Sequence, residues 1–517
     1  MNESMKNATI LAIYKNPLLL VNTTIILVVT MTVLIGFWWS RNIKEFYIDR
    51  ARTIRLASKL PGPPALPLIG NALTLACSSE EILNRFVELS NKYGTPMRFW
   101  MGPKLLIALS EPRDYEIILS CREASHKHEL YQLVEPLFGQ GLVTGSGPMQ
   151  RSHRKVIMPM LNNKALNEYF EYFITHCRTC SDLVDKKVGT GPFDIYSYIS
   201  NCSFDMIFDT ILGIPAGAQK EKPTKLVHYV EVVYNNFHER ATKVWLQPDW
   251  LYYRLKVGKK QKQCEVFLRR FIANIIARKK EQYFAEQDND VPPKEKFIFL
   301  EQLVEYVITN NFMSDSEIAD ETLTIFFAAQ DTVSLATSFA LLMLAMHPEI
   351  QGKMRDEIRR VIVSNPMKFD HLADLNYTEM VIKETLRLFP LGPIILRRLT
   401  GDIRLDTCIL PKGSALAIAP FVTHRSTKFW SDPEKFIPER FSAKNSIDRH
   451  PCAYVPFSRG LRGCIGQKYA MMAMKTMLVH IVQKFQLTTT LKLETLRIKM
   501  DISVRSSDGY VVSLTRI

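Results

Sequence analysis

The chain has 517 residues, of which 47% are hydrophobic and 23% charged. That balance supplies a large core and excludes disordered and collagen-like classes, while the length allows two or three domains. The net charge of +14 points to an acidic protein partner or an anionic membrane face; no zinc-finger or RNA-binding pattern accompanies it, so no nucleic-acid partner is expected.

From Pro17 to Ser40 no residue is charged. At ~1.5 Å per residue this run is long enough, as a helix, to cross a ~30 Å hydrocarbon layer. Trp38 and Trp39 stand at one end, and Arg41, Lys44, Arg50, Arg52, Arg55 and Lys59 crowd just beyond. The positive-inside rule then makes residues 1–16 lumenal, 17–40 a transmembrane signal anchor, and the body cytosolic. A cleaved signal peptide is the rival, but the run is long for one and no small-residue cleavage site ends it. Residues 41–71 form a basic and proline-rich hinge that ends in "LPGPPALPLIGN", Leu60 to Asn71, where prolines and glycines cannot extend a helix. Residues 72–517 read as one catalytic region.

The nine cysteines are odd in number and thinly spread, which excludes a disulfide scaffold. Cys177 and Cys180 lie beside His176 but lack a second pair at zinc spacing. Cys264, Phe267, Leu268, Phe271, Ile272, Ile275 and Ile276 follow helical spacing, with Arg269, Arg270, Arg278, Lys279 and Lys280 off the stripe. Glu286 to Lys296 reads as a loop. Ser314 and Glu317 form a capping box that opens a long helix, which stops at His347-Pro348. Within it, Gln330, Asp331 and Thr332 interrupt apolar sequence, and buried polar groups there need partners or a task. Strand-like runs come late, at Ile403–Gly413, Ser414–Phe421 and Gly509–Ile517. The fold class is mainly α with a minor β-sheet region.

"PFSRGLRGCIGQKYA", Pro456 to Ala470, places Cys464 among Gly460, Gly463 and Gly466, just ahead of an apolar helical pattern. The glycines permit tight bending and close approach, and the helix N-terminus and Arg462 favour a thiolate. Two uses are open. One is a cysteine nucleophile, for which His450 and His480 are near in sequence but unmarked as bases. The other is an axial ligand to haem iron, with Phe457 near the sulfur and Arg462 on a propionate.

The chain resembles the cytochrome P450 family. Phe457, Gly460, Arg462, Cys464 and Gly466 match every fixed position of its Phe-x-x-Gly-x-Arg-x-Cys-x-Gly haem loop. "ETLR" (Glu384–Arg387), "PERF" (Pro438–Phe441) and "AAQDTV" (Ala328–Val333) follow in the family's order. The layout of the central helix looks most like insect-type microsomal members related to fatty-acid ω-hydroxylases. The resemblance implies the P450 fold behind a single transmembrane helix, and haem b with Cys464 as its thiolate ligand. It also implies Thr332 and Asp331 as the catalytic alcohol and acid of proton delivery, and Arg462, Arg154 and Arg397 as propionate partners. Glu384, Arg387 and Arg440 are then a structural ion network. The substrate pocket would draw on Ser125–Gly139, Phe326, Phe327, Ala328, Leu391–Leu396 with Ile395, and Ser506–Ser507.

The implied reaction is insertion of one oxygen atom from O2 into a lipophilic substrate: a fatty acid, a hormone-like lipid or a xenobiotic. Electrons would come from NADPH through NADPH–cytochrome P450 reductase, with cytochrome b5 as a second candidate partner, at the endoplasmic reticulum membrane. Arg151, Lys155, Arg459 and Lys468 would suit an acidic reductase surface. Three positions depart from the family pattern: Ala329 replaces a glycine, Val333 a threonine or serine, and Gln150 a tryptophan. Ala328 stands where many relatives carry a glutamate that bonds covalently to haem, so non-covalent haem is expected. A reductase-independent haem-thiolate isomerase or dehydratase and a non-catalytic haem-thiolate sensor are the alternatives.

Overall fold

The computed structural model describes residues 17–220, 225–288, 297–363 and 367–517. The expected lumenal segment, residues 1–16, lies outside them. The helices that frame the site are α1 (Pro17–Ala57), α2 (Gly147–Ile157), α3 (Asn163–Asp185), α4 (Tyr196–Ile207), α5 (Lys225–Thr242), α6 (Lys256–Asp288), α7 (Asp315–Met346), α8 (Asn376–Leu388) and α9 (Gln467–Val482). No proline interrupts α1 between Pro17 and Pro61, so the helix runs through the apolar stretch and on through the basic one. The expected hinge over 41–71 therefore divides: it is helical to Ala57 and loses the helix at the Pro61–Pro64 cluster. Likewise α6 reaches Asp288 and takes in the first three residues of the expected loop.

Central to the body is α7. Ser314 Oγ accepts from the Glu317 N–H while the Glu317 carboxylate accepts from the Ser314 N–H at 2.8 Å, and Pro348 ends the helix. Helices α4, α6, α8 and α9 pack around it, so it is buried on nearly every side. It is long and apolar enough to span a membrane, but its burial makes it a core helix.

A five-stranded sheet runs beside the helical body: β1 (Met97–Met101), β2 (Lys104–Leu109), β3 (His126–Lys127), β4 (Ile395–Arg398) and β5 (Ala415–Ile418), in the order β1-β2-β5-β4-β3. Sequence patterning finds β5 but not the β1–β2 hairpin, whose apolar and polar residues do not alternate cleanly around Gly102-Pro103. The antiparallel register sets Lys127 of β3 directly opposite Arg397 of β4. Near the C-terminus, Val511–Arg516 pairs with both Phe485–Thr488 and Phe193–Asp194. Ile498–Met500 and Val504–Ser506 form a separate hairpin.

Candidate active site

The loop before α9 is shaped by close backbone contacts. The Cys464 N–H donates to the Phe457 carbonyl at 2.9 Å. Gly460 has φ of +69°, and a Cβ there would stand 2.2 Å from the Leu119 carbonyl oxygen, so only glycine fits. Gly466 precedes α9, and its N–H points at the Cys464 sulfur. Cys464 is exposed, whereas every other cysteine is buried or half-buried. Yet protein surrounds its sulfur closely enough that burial pushes the thiol up, against the pull of the Gly466 N–H and Arg154. The sulfur's accessible side therefore faces an internal recess. The cation acting on it is Arg154 of α2; Arg462, to which the sequence assigns that part, is turned elsewhere.

Arg462 donates through Nη2 to the Gly145 carbonyl at 2.6 Å, while its Nε and Nη1 are buried with no partner in the protein. Burial, then Arg397, push its pKa down to about 10. Arg397 is 3% exposed, donates to the Leu396 carbonyl at 3.0 Å, and is destabilised as a cation by burial. Lys127, opposite it in the sheet, falls well below its ordinary value through burial and then through Arg397 and Arg462. Its Nζ lies 4.2 Å from the centre of the Tyr131 ring. Buried like charges with unused N–H donors call for an anion with several oxygens. The two propionates of a haem fit that set of donors. Lys127 belongs to it although sequence reading places it only in a pocket-lining loop; the signal that could have found it, pairing with Arg397, exists only in the sheet.

In the middle of α7 a narrow strip escapes burial: Ala328 is exposed, and Ala329 and Thr332 are half-buried. Thr332 Oγ1 donates to the Ala328 carbonyl at 2.8 Å, which parks the hydroxyl on the strip. Asp331 points another way. Its carboxylate accepts from Ser503 Oγ at 3.0 Å and pairs with Arg505 Nη2, both from the C-terminal hairpin segment. Phe327 meets Phe138 and Tyr234 edge-on or tilted at 5.3 Å, while Phe326 sits in a core cluster with Phe204 and Phe208. Ile395, on β4, is half-buried. Neither Ser503 nor Arg505 stands out in the sequence, because each is far from α7 along the chain.

Glu384, Arg387 and Arg440 come together. Arg387 donates to Glu384 at 2.7 and 2.9 Å, and Arg440 Nε donates to the same carboxylate at 3.2 Å. The remaining Arg387 donors reach the carbonyls of His424, Pro433 and Lys435 at 2.7–3.0 Å. One carboxylate is thus shared by two guanidinium groups, whose other N–H donors end on carbonyl and hydroxyl oxygens, as burial demands. The network ties α8 to the stretch leading into the Cys464 loop.

A family model described as Cytochrome P450 matches residues 60–512. The chain belongs to the cytochrome P450 family. Among its relatives, "Cytochrome P450 4c3" of Drosophila melanogaster is 29% identical over 90% of this chain and 91% of its own. "Cytochrome P450 4V2" of Mus musculus is 32% identical over 87% and 88%. "Cytochrome P450 4g1" of Drosophila melanogaster is 29% identical over 94% of each chain. This P450 is accordingly a haem-thiolate monooxygenase, an oxidoreductase that uses haem iron with a cysteine thiolate. The mainly helical architecture with small sheets is that of the family.

Proposed function

We propose that Cys464 is the axial thiolate of a non-covalently held haem b, and that the enzyme oxygenates a lipophilic substrate. One observation carries this: an accessible sulfur at a helix start, flanked by Arg462 with two buried, unpartnered donors. When bound, the haem supplies dioxygen activation and oxygen insertion. The protein's residues do the rest. Arg462, Arg397, Arg154 and Lys127 would hold the propionates. Gly460 lets the loop close against the Leu119 carbonyl, and the Gly466 N–H points at the Cys464 sulfur. Phe138, Ala328 and Ile395 offer apolar and aromatic surface to a fatty acid, hormone-like lipid or xenobiotic, with Phe327 packed behind Phe138. Thr332 Oγ1 holds a proton on the accessible strip, and Asp331 behind it supplies the next. Ala328 brings no carboxylate, so no covalent bond to the haem forms.

Electrons arrive from NADPH through NADPH–cytochrome P450 reductase, with cytochrome b5 as a second donor. Exposed Arg151, Lys155, Arg459 and Lys468 form the cationic face toward them. Residues 17–40 anchor the protein in the endoplasmic reticulum membrane. Supporting this, Ile25–Leu34 is an apolar helical stretch with exposed side chains, and Thr30 and Thr32 return their hydroxyls to the Ile26 and Val28 carbonyls at 2.6 and 2.7 Å. That leaves neither of these two hydroxyl protons unpaired in lipid. The test is full-length protein with purified reductase and NADPH, screened by mass spectrometry against fatty acids, steroids and terpenoids. A product carrying one oxygen atom from labelled O2 is the expected result. Reduced, haem-loaded protein lacking the red-shifted carbon-monoxide band of thiolate ligation would overturn the assignment of Cys464.

A further inference from the structure

Asp331 is 4% exposed and sits one residue before Thr332, yet its partners come from a hairpin about 170 residues later in the chain. Ser503 Oγ donates to Oδ2 at 3.0 Å and Arg505 Nη2 holds Oδ1. Arg505 in turn stands between two carboxylates. Its Nε lies 3.7 Å from Oδ2 of Asp501, at the turn of the same hairpin. Asp501 Oδ1 is buried and accepts no hydrogen bond; His238 Nε2 of α5 approaches it at 3.3 Å without hydrogen-bond geometry, and Lys499 Nζ lies 3.3 Å from the other oxygen. An acceptor is therefore open beside a guanidinium already engaged elsewhere. The remaining polar groups are Tyr196 of α4, whose Oη accepts from Arg505 Nη1 at 3.2 Å, Tyr234 of α5, which donates to the Phe327 carbonyl at 2.6 Å, and Tyr510, whose ring stacks on Tyr196 and whose Oη accepts from the Ser506 N–H at 3.2 Å.

We propose that Arg505 is the positioning residue of the Asp331 carboxylate and that Asp501 is its second seat, so the C-terminal hairpin sets whether Asp331 is locked or free to turn toward Thr332. The proposal rests on the reading that Asp331 and Thr332 deliver protons. An arginine stays charged at any working pH, so it cannot itself pass a proton on; what it can do is hold a carboxylate and tune it. With Arg505 on Asp331 the acid is neutralised and fixed. With Arg505 on Asp501 the acid keeps only Ser503. Burial pushes the Asp331 carboxyl up, and Arg505 and Ser503 pull against it while Asp501 pushes with it. The hairpin thus carries both the restraining and the opposing charge.

The experiment uses haem-loaded full-length protein. The protonated-carboxyl stretch of Asp331 is followed in infrared pH-difference spectra and assigned by its loss in D331N. R505Q is expected to raise its titration midpoint by about 1–3 pH units, R505K to restore it, and D501N to lower it. Solvent isotope effects on NADPH oxidation through purified reductase are measured on the same set, with R497Q as a control. Arg497 pairs with Asp508 away from Asp331, so R497Q should match wild type. Midpoints unmoved in both R505Q and D501N would overturn the proposal, and should R505Q fail to retain haem, a D501N midpoint that does not fall overturns it alone. Midpoints that move as expected, with D331N leaving rate and isotope effect at wild-type values, would instead refute proton delivery by Asp331 and leave the positioning role standing.

Discussion

Glu384 and Arg387 face each other through two parallel hydrogen bonds of 2.9 and 2.7 Å, and neither side chain has any exposed surface. Arg440 and the Ile437 N–H complete the carboxylate's partners at 3.2 and 2.8 Å. Glu384→Gln leaves two buried guanidinium groups short of their anion. A loss of about 3–5 kcal/mol is expected, read as a lower urea midpoint and poor haem retention.

His424 is fully buried and neutral. Its Nε2 accepts from the Val455 N–H at 3.0 Å, and burial, then Arg387 and Arg425, push its pKa down to about 3. The unfolded chain binds a proton near pH 6.5 that the folded one refuses. The stability from this group is therefore complete above pH 6.5 and declines as pH falls toward 3. Its contribution to the slope is about 1.4 kcal/mol per pH unit. His424→Asn, whose amide oxygen can accept the same bond, should flatten that part of a urea-midpoint series between about pH 7 and about pH 5.

Gly460→Ala places a methyl 2.2 Å from a backbone oxygen at φ +69°. Backbone must shift, at about 1–3 kcal/mol, and the shift falls in the loop that holds Cys464. The expected outcome is a lower thermal midpoint and a smaller fraction of protein with the thiolate-type carbon-monoxide band.

Ala328 is exposed on the α7 strip and has no carboxylate to offer. Acidified organic solvent should extract all the haem from wild-type protein. Ala328→Glu places a carboxylate at the position where many relatives hold haem covalently, and a fraction of its haem should stay with the protein after turnover. Mass spectrometry of the denatured chain reads both results.

Local chemistry was readable without the structure. The Cys464 loop is short, and each constraint in it acts over a few residues: glycine for a left-handed turn, a cysteine at a helix start, an apolar period after it. The Ser314–Glu317 capping box and the proline stop at the far end of α7 are equally local. The β1–β2 hairpin was not read, because its stability comes from the parallel partner β5, some 300 residues later.

By itself, then, the sequence determined the helices, the sulfur-bearing loop and the order of the family's motifs, since propensity, capping and turn chemistry depend on near neighbours. Tertiary structure alone decided which charges meet. It set Lys127 beside Arg397, turned Arg462 toward Gly145 rather than the sulfur, and gave Asp331 to Arg505. Such pairings depend on strand register and helix packing across hundreds of residues. Only in the folded interior, where water no longer screens the charges, do they acquire their strength.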